Sequence, residues 1–218
     1  MFSNNVSGVT VATSRKDSAV IEHAVLDAAL VCIHRFGFSK VTIDDICQES
    51  GVSRASVYRL FPGGRDVLFE ALHVRELHQF FEQVLSEIDG LDTVEDVVTH
   101  SVAAATSLLR THSHLAMMLS SEPGEALGQL TATGLPRIIR MATVALSPQL
   151  DPLIGRESAH RLIDLVARLT VSYFLSPDES VDLSDADTVR QFLRPIITAV
   201  ALPESFSGTA ATLNRSTS

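Results

Sequence analysis

Eleven residues, Gly51 to Phe61, "GVSRASVYRLF", decide how this chain folds. Gly51 suits the left-handed conformation that ends one helix, and Ser53 is the hydroxyl type that caps the start of another. Val52 stands where a hydrophobic staple to Val57 would sit. At 100° per residue, Val57, Leu60 and Phe61 fall on one side of a short helix. Ala55 and Arg59 lie opposite, Ser56 and Tyr58 flank that outer face, and Arg54 is nearer the seam. The stretch contains two arginines and no carboxylate, within a 218-residue chain of formal net charge −9.

Upstream, "TIDDICQESG" predicts a second short helix. Thr42 is its N-cap, Asp45 the capping-box partner three residues on, and Asp44 and Asp45 lie near the positive helix end. Ile43, Ile46 and Cys47 form its inward stripe. Earlier still, Ile21, Ala24, Val25, Ala28, Ala29, Cys32, Ile33 and Phe36 recur at three and four, giving an amphipathic helix that stops at Gly37. A longer helix followed by two short ones joined through "SGVS" is the order of a helix-turn-helix.

Downstream, "FPGG" breaks the third helix and a long one restarts at Arg65. Further helices are expected from Asp92 or Thr93 to Arg110, in "HSHLAMMLSSEPG" before Pro123, and within Glu125 to Leu146. Arg156–Leu175 and Asp185–Ala201 are the last two. "SPQLDPLIG" and "SPDESVDLS" read as loops. No period-two strand is convincing, so the fold class is all-α.

Charge is unevenly spread. From Ser14 to Asp66 seven bases balance seven acids, whereas beyond Asp66 ten bases face nineteen acids. Ser50 to Arg65 carries three arginines and no acid, the local basicity that a polyanion-binding patch requires. Hydrophobic residues make up 45% of the chain and charged residues 20%, which excludes wholesale disorder. Two cysteines, Cys32 and Cys47, suit a reducing cytoplasm, and both occupy apolar stripe positions where thiols are inert packing. The opening residues lack the pattern of a secretion signal, and no apolar run reaches membrane length, so a cytoplasmic protein with no membrane partner is expected. The histidines, "HSH" at His112 and His114 included, lack metal-site spacing, and neither a cofactor motif nor a nucleophile–base arrangement is present.

"VLDAALVCIHRFGFSKVTIDDICQESGVSRASVYRLFPGGRDVLFEAL", Val25 to Leu72, resembles the DNA-binding region of the tetracycline-repressor (TetR) family. The matching elements are "DAA", Gly37-Phe38, Thr42, Ile46, "SGVSRASVYRLF" and the run through "FPGGRD" into the next helix. Arg65 stands where that family usually has lysine, and Cys47 where it has a small alanine. The resemblance implies a double-stranded DNA operator as partner. Thr42, Ser53, Tyr58 and Arg65 would meet phosphates, and Arg54, Ala55, Ser56 and Arg59 would face the bases. Arg15 and Lys16 would reach a minor groove or phosphate.

It further implies a homodimer that responds to a small-molecule effector, a repressor more often than not. Residues 1–14 are expected to be a disordered arm, 15–64 the helix-turn-helix domain, 65–202 the effector-binding and dimerisation domain, and 203–218 a disordered tail. The stripes Leu162, Ile163, Val166 and Leu169, and Val189, Leu193, Ile196 and Val200, are the candidate dimer interface. Phe80, Phe81, Leu108, Leu115, Met117, Met118, Met141, Tyr173 and Phe174 are candidates to line a cavity for a mostly apolar effector. The competing reading is a helical small-molecule carrier or enzyme with a vestigial helix-turn-helix.

Overall fold

The computed structural model describes residues 7–111 and 135–201, with side chains from Ser18 onward. Among these residues the chain is helical with no extended strand, pairing only Asp178 and Val181 in an isolated bridge. Eight α-helices are seen: α1 Ser7–Phe36, α2 Ile43–Ser50, α3 Arg54–Leu60, α4 Arg65–Glu87, α5 Val94–Thr111, α6 Leu135–Ile154, α7 Arg156–Leu175 and α8 Ala186–Ala201. None is long and apolar enough to cross a membrane. The predicted short helix in "HSHLAMMLSSEPG" lies outside the described residues, as do Leu115, Met117, Met118 and the 203–218 tail.

Two differences concern boundaries. Helix α1 begins at Ser7, so the 1–14 arm is already helical from that residue. Once a helix is nucleated each added residue brings a hydrogen bond, and no proline interrupts the extension. The chain also divides into two compact units between Gln79 and Phe80, inside α4 and not at its start. The reason is apolar burial, because Leu68, Phe69 and Leu72 of α4 complete the core of the helix-turn-helix.

In the first unit that core gathers Val25, Ala29, Cys32 and Ile33 of α1, Ile43 and Ile46 of α2, Val57 and Phe61 of the α3 segment, and the three α4 residues. Helix α1 ends as the glycine predicts: the Gly37 N–H donates to Ile33 O at 2.9 Å, and a 3-10 turn over Phe38–Lys40 leads to α2.

The second unit builds its core on Val97, Val98 and Val102 of α5, Ala142, Leu146 and Leu150 of α6, Leu162, Ile163 and Val166 of α7, and Val189, Leu193 and Ile197 of α8. Helix α6 overturns the expected loop at "SPQLDPLIG", since it runs through Pro148 and Pro152. Ala142, Leu146 and Leu150 recur every four residues and are all buried, so breaking the helix would expose its apolar stripe. The carbonyl that Pro148 leaves without an amide belongs to Val144, which is 78% exposed, where water can take the bond.

Ion pairs fasten α8 to α5. Arg190 Nη1 donates to Asp96 Oδ1 at 2.7 Å, and Arg194 Nη2 donates to Glu95 Oε1 at 3.0 Å. The Arg194 hydrogen bond first of all, with Arg190 adding to it, holds Glu95 below its ordinary value. The Thr93 hydroxyl, then Arg190, does the same for Asp96. Depressed folded values mean that this stabilisation is present above the unfolded carboxylate pKa and is lost as pH falls through the folded one. Thermal melts should therefore show Arg190→Gln/Arg194→Gln modestly below the parent at pH 7, with the gap narrowing between about pH 5 and pH 3. A gap that stayed constant with pH would contradict this.

Candidate nucleic-acid interface

The turn that carries α3 forms as the sequence predicts. The Thr42 side chain caps α2 by accepting from the Asp45 N–H at 3.2 Å, while the Asp45 carboxylate accepts from the Thr42 N–H at 2.9 Å and its hydroxyl at 2.6 Å. The Thr42 hydroxyl, then its N–H, holds Asp45 below its ordinary value. Gly51 ends α2 at φ 68°. Ser53 caps α3, its hydroxyl accepting from the Ser56 N–H at 3.2 Å.

Helix α3 is thereby fixed with Val57 fully buried and Ala55, Tyr58 and Arg59 exposed. Arg59 has no hydrogen-bond or ion-pair partner among the described residues. Ser56 is half-buried beside it. The Tyr58 ring packs over Gly64, where an added Cβ would come within 3.1 Å of Cε1. Ala55, Ser56, Tyr58 and Arg59 thus share one outward surface without a carboxylate. That is the shape and charge required of a helix that enters a major groove.

The other four candidates all have internal partners: Thr42 and Ser53 act as the caps the sequence predicts, Ser53 Oγ also donating to Ser56 Oγ at 3.0 Å, whereas the partners of Arg54 and Arg65 were not assigned from the sequence. Both donors of Thr42 serve Asp45. Arg54 Nη1 donates to Asp44 Oδ1 and Oδ2 at 2.8 and 3.1 Å, and its guanidinium lies 5.6 Å from the centre of the Tyr58 ring. The Tyr58 phenol, then Asp44, raises the Arg54 pKa further.

Arg65 is a clamp. Its Nε donates to Val41 O at 3.0 Å and its Nη2 to Phe38 O at 2.7 Å, tying the start of α4 to the α1–α2 connection. Its guanidinium lies against two rings, 5.4 Å from the centre of Phe38 and 4.5 Å from that of Phe69. Two of its five N–H donors are used in this way, leaving three for a phosphate. Asp44 and Phe38 were missed because their partners are ten or more residues away across turns, where no helical spacing reports the pairing, whereas Phe69 lies one turn along α4 from Arg65.

Side chains of Arg15 and Lys16 lie outside the described set. Cys32 is buried and Cys47 half-buried, and burial is the first cause that pushes each thiol pKa up. Neither sits in the electropositive, accessible setting of a reactive cysteine.

Residues 25–72 match the family profile described as bacterial regulatory proteins, tetR family. This region belongs to the TetR family. An uncharacterized HTH-type transcriptional regulator of Mycobacterium tuberculosis (strain H37Rv) is 29% identical over 165 residues, covering 71% of this chain and 80% of that protein. A counterpart in Mycobacterium bovis is also 29% identical, with the same coverage. Among solved structures, the TetR-family repressor AlkX from a Dietzia strain superposes with a TM-score of 0.61 at 20% identity, over 83% of this chain and 97% of that one. The fatty acid degradation regulator FadR from Bacillus halodurans superposes with a TM-score of 0.51 at 17% identity, over 79% and 93%. The all-helical TetR-like fold and the DNA-binding transcriptional regulator read from "SGVSRASVYRLF" are thereby supported from outside the chain.

Because Gly51 is left-handed with open space around its Cβ position, substitution there costs backbone strain and no clash. Gly51→Ala should lower unfolding stability in urea by about 1–2 kcal/mol, and Gly51→Asn by clearly less. Equal losses would mean that the backbone conformation is not what this position requires.

Proposed function

We propose that the chain is a homodimeric, ligand-responsive repressor that reads its operator with α3 and works in the cytoplasm, where its DNA is. The observation that carries this reading is the exposed Arg59 on a carboxylate-free helix face that also presents Ala55, Ser56 and Tyr58. Arg59 and Arg54 supply directional donors for guanine edges, and Ser53 and Tyr58 supply hydroxyls for phosphate. Thr42, Ser53 and Arg65 approach phosphate only by exchanging or sharing the partners they already hold.

Two recognition helices are needed for useful specificity, since each reads only a few base pairs of one half-site. The expected dimer helices, α7 and α8, are retained, but the residues chosen on them need correction. Leu162, Ile163, Val166, Val189 and Leu193 are buried within a single chain and have no surface left for a partner. Leu169, Ile196 and Val200 are half-buried. With Leu165, Tyr173 and Phe192 they make two stripes at four-residue spacing, joined by an edge-on contact of Tyr173 with Phe192 at 5.5 Å. This is the face we assign to the second subunit.

The effector is proposed to enter the second unit and to be mostly apolar. Phe80 and Phe81 are buried and meet edge-to-face at 5.3 Å, while Leu108, Met141 and Phe174 are half-buried; Tyr173 goes instead to the dimer face. Two structural neighbours, a repressor implicated in biodegradation of n-alkanes and a regulator of fatty acid degradation, agree with such chemistry. Helix α4 contributes Leu68, Phe69 and Leu72 to the first core and carries Phe80, Phe81 and Val84, all buried, in the second unit. A ligand that prefers one placement of α4 would change the spacing of the recognition helices, and by linkage DNA would change the affinity for that ligand equally.

Selection from a random 20-base-pair duplex pool, followed by fluorescence anisotropy, tests the DNA reading. Arg59→Ala should lose about 1–3 kcal/mol of affinity per half-site and relax preference at one position, with an unchanged melting temperature. Failure of the parent to enrich any duplex would favour the carrier reading. Leu169→Glu/Ile196→Glu should convert a dimer to a folded monomer in analytical ultracentrifugation. A mutant dimer would place the interface elsewhere.

A further inference from the structure

The pairing of Asp44 with Arg54 has a consequence for how DNA is discriminated. Sequence-indifferent affinity for a duplex comes from positive charge that displaces counterions from phosphate. Sequence reading comes from directional donors aimed at base edges. Arg54 offers both, and Asp44 treats them differently. Its two oxygens take Nη1 at 2.8 and 3.1 Å, which cancels the charge locally but leaves the Nε and Nη2 donors unused by the carboxylate. The Tyr58 ring supports the guanidinium at 5.6 Å, so the side chain is held at two places.

The pair is open to solvent, with 59% of the Arg54 side chain and 70% of the Asp44 side chain exposed. It contributes little to folding, as exposed pairs generally do. Its carboxylate nevertheless stands against the Arg54 guanidinium, where a phosphate would have to compete with it. Arg59 has no such partner and carries full charge on the outward face of α3.

We infer that Asp44 is a specificity-determining residue acting through Arg54: it neutralises the guanidinium towards phosphate while holding for a base the donors that the carboxylate does not take. The inference rests on the reading that α3 meets DNA. Asp44 lowers affinity for unrelated duplex more than for operator, and so widens the ratio between them. It is a positioning residue and makes no base contact itself.

The test uses the full chain, the duplex that the parent selects from the random pool, and an unrelated 20-base-pair duplex. For Asp44→Asn, affinity for the unrelated duplex should rise about fivefold at low salt. The slope of log K against log salt should steepen by about 0.9 per subunit. Operator affinity should rise less, so the specificity ratio falls, and Asp44→Glu should restore the parent values. If Asn at this position weakens the helix, Asp44→Ser provides the same loss of charge. In an Arg54→Gln background the gain from Asp44→Asn should largely vanish. An unchanged slope and unchanged unrelated-duplex affinity would overturn the inference while leaving the DNA reading intact. A gain that persists undiminished without Arg54 would overturn it too, because bulk charge alone would then explain the effect. If the parent selects no duplex, both fall together.

Discussion

A seven-residue helix has no stability of its own in water, so everything that α3 does depends on the burial of Val57. Helix nucleation is costly and isolated helices of this length do not persist. Val57 is fully buried with Phe61 among residues of α1, α2 and α4, and this one anchorage fixes which side of α3 faces out. Arg59 follows two positions later and is therefore directed away from the core, with Ala55 two positions before. The functional surface is the geometric complement of a hydrophobic contact.

The surroundings keep that anchorage in register. Gly51 turns the chain between α2 and α3, Ser53 satisfies an amide that the first turn would otherwise leave open, and Arg65 joins α4 to the carbonyls of Phe38 and Val41. The Arg65 clamp sits immediately before Thr42, the cap of α2. A displacement of the start of α4 would be felt first at the α1–α2 connection and next at the helix that positions α3. Phe80 and Phe81, further along the same helix, are buried and belong to the second compact unit.

The sequence was most legible where local rules and burial agree. The Thr42–Asp45 capping box, the Gly51 stop, the Ser53 cap and the outward placement of Ala55 and Arg59 all depend on residues within a few positions of one another. Partners brought together by turns were not legible: Asp44 with Arg54, and Phe38 with Arg65. The dimer stripes on α7 and α8 misled for a different reason. An apolar position that is fully covered within one chain has the same letter as one waiting for a second copy, and only burial in the folded chain separates Leu162 from Leu169. Pro148 and Pro152 read as helix breakers, but the stripe of Ala142, Leu146 and Leu150 keeps α6 continuous.

The claim that α3 presents its arginine face to a duplex can be tested most directly by nuclear magnetic resonance. Protein labelled with nitrogen-15 would be titrated with the duplex it selects, following the amides of residues 53–59 and the Arg59 Nε–H. The account predicts that these signals shift together and saturate at one duplex per dimer, while the Val144 amide, on an exposed face of the other unit, moves little. Shifts centred on α6 with the Arg59 signal unmoved would contradict it.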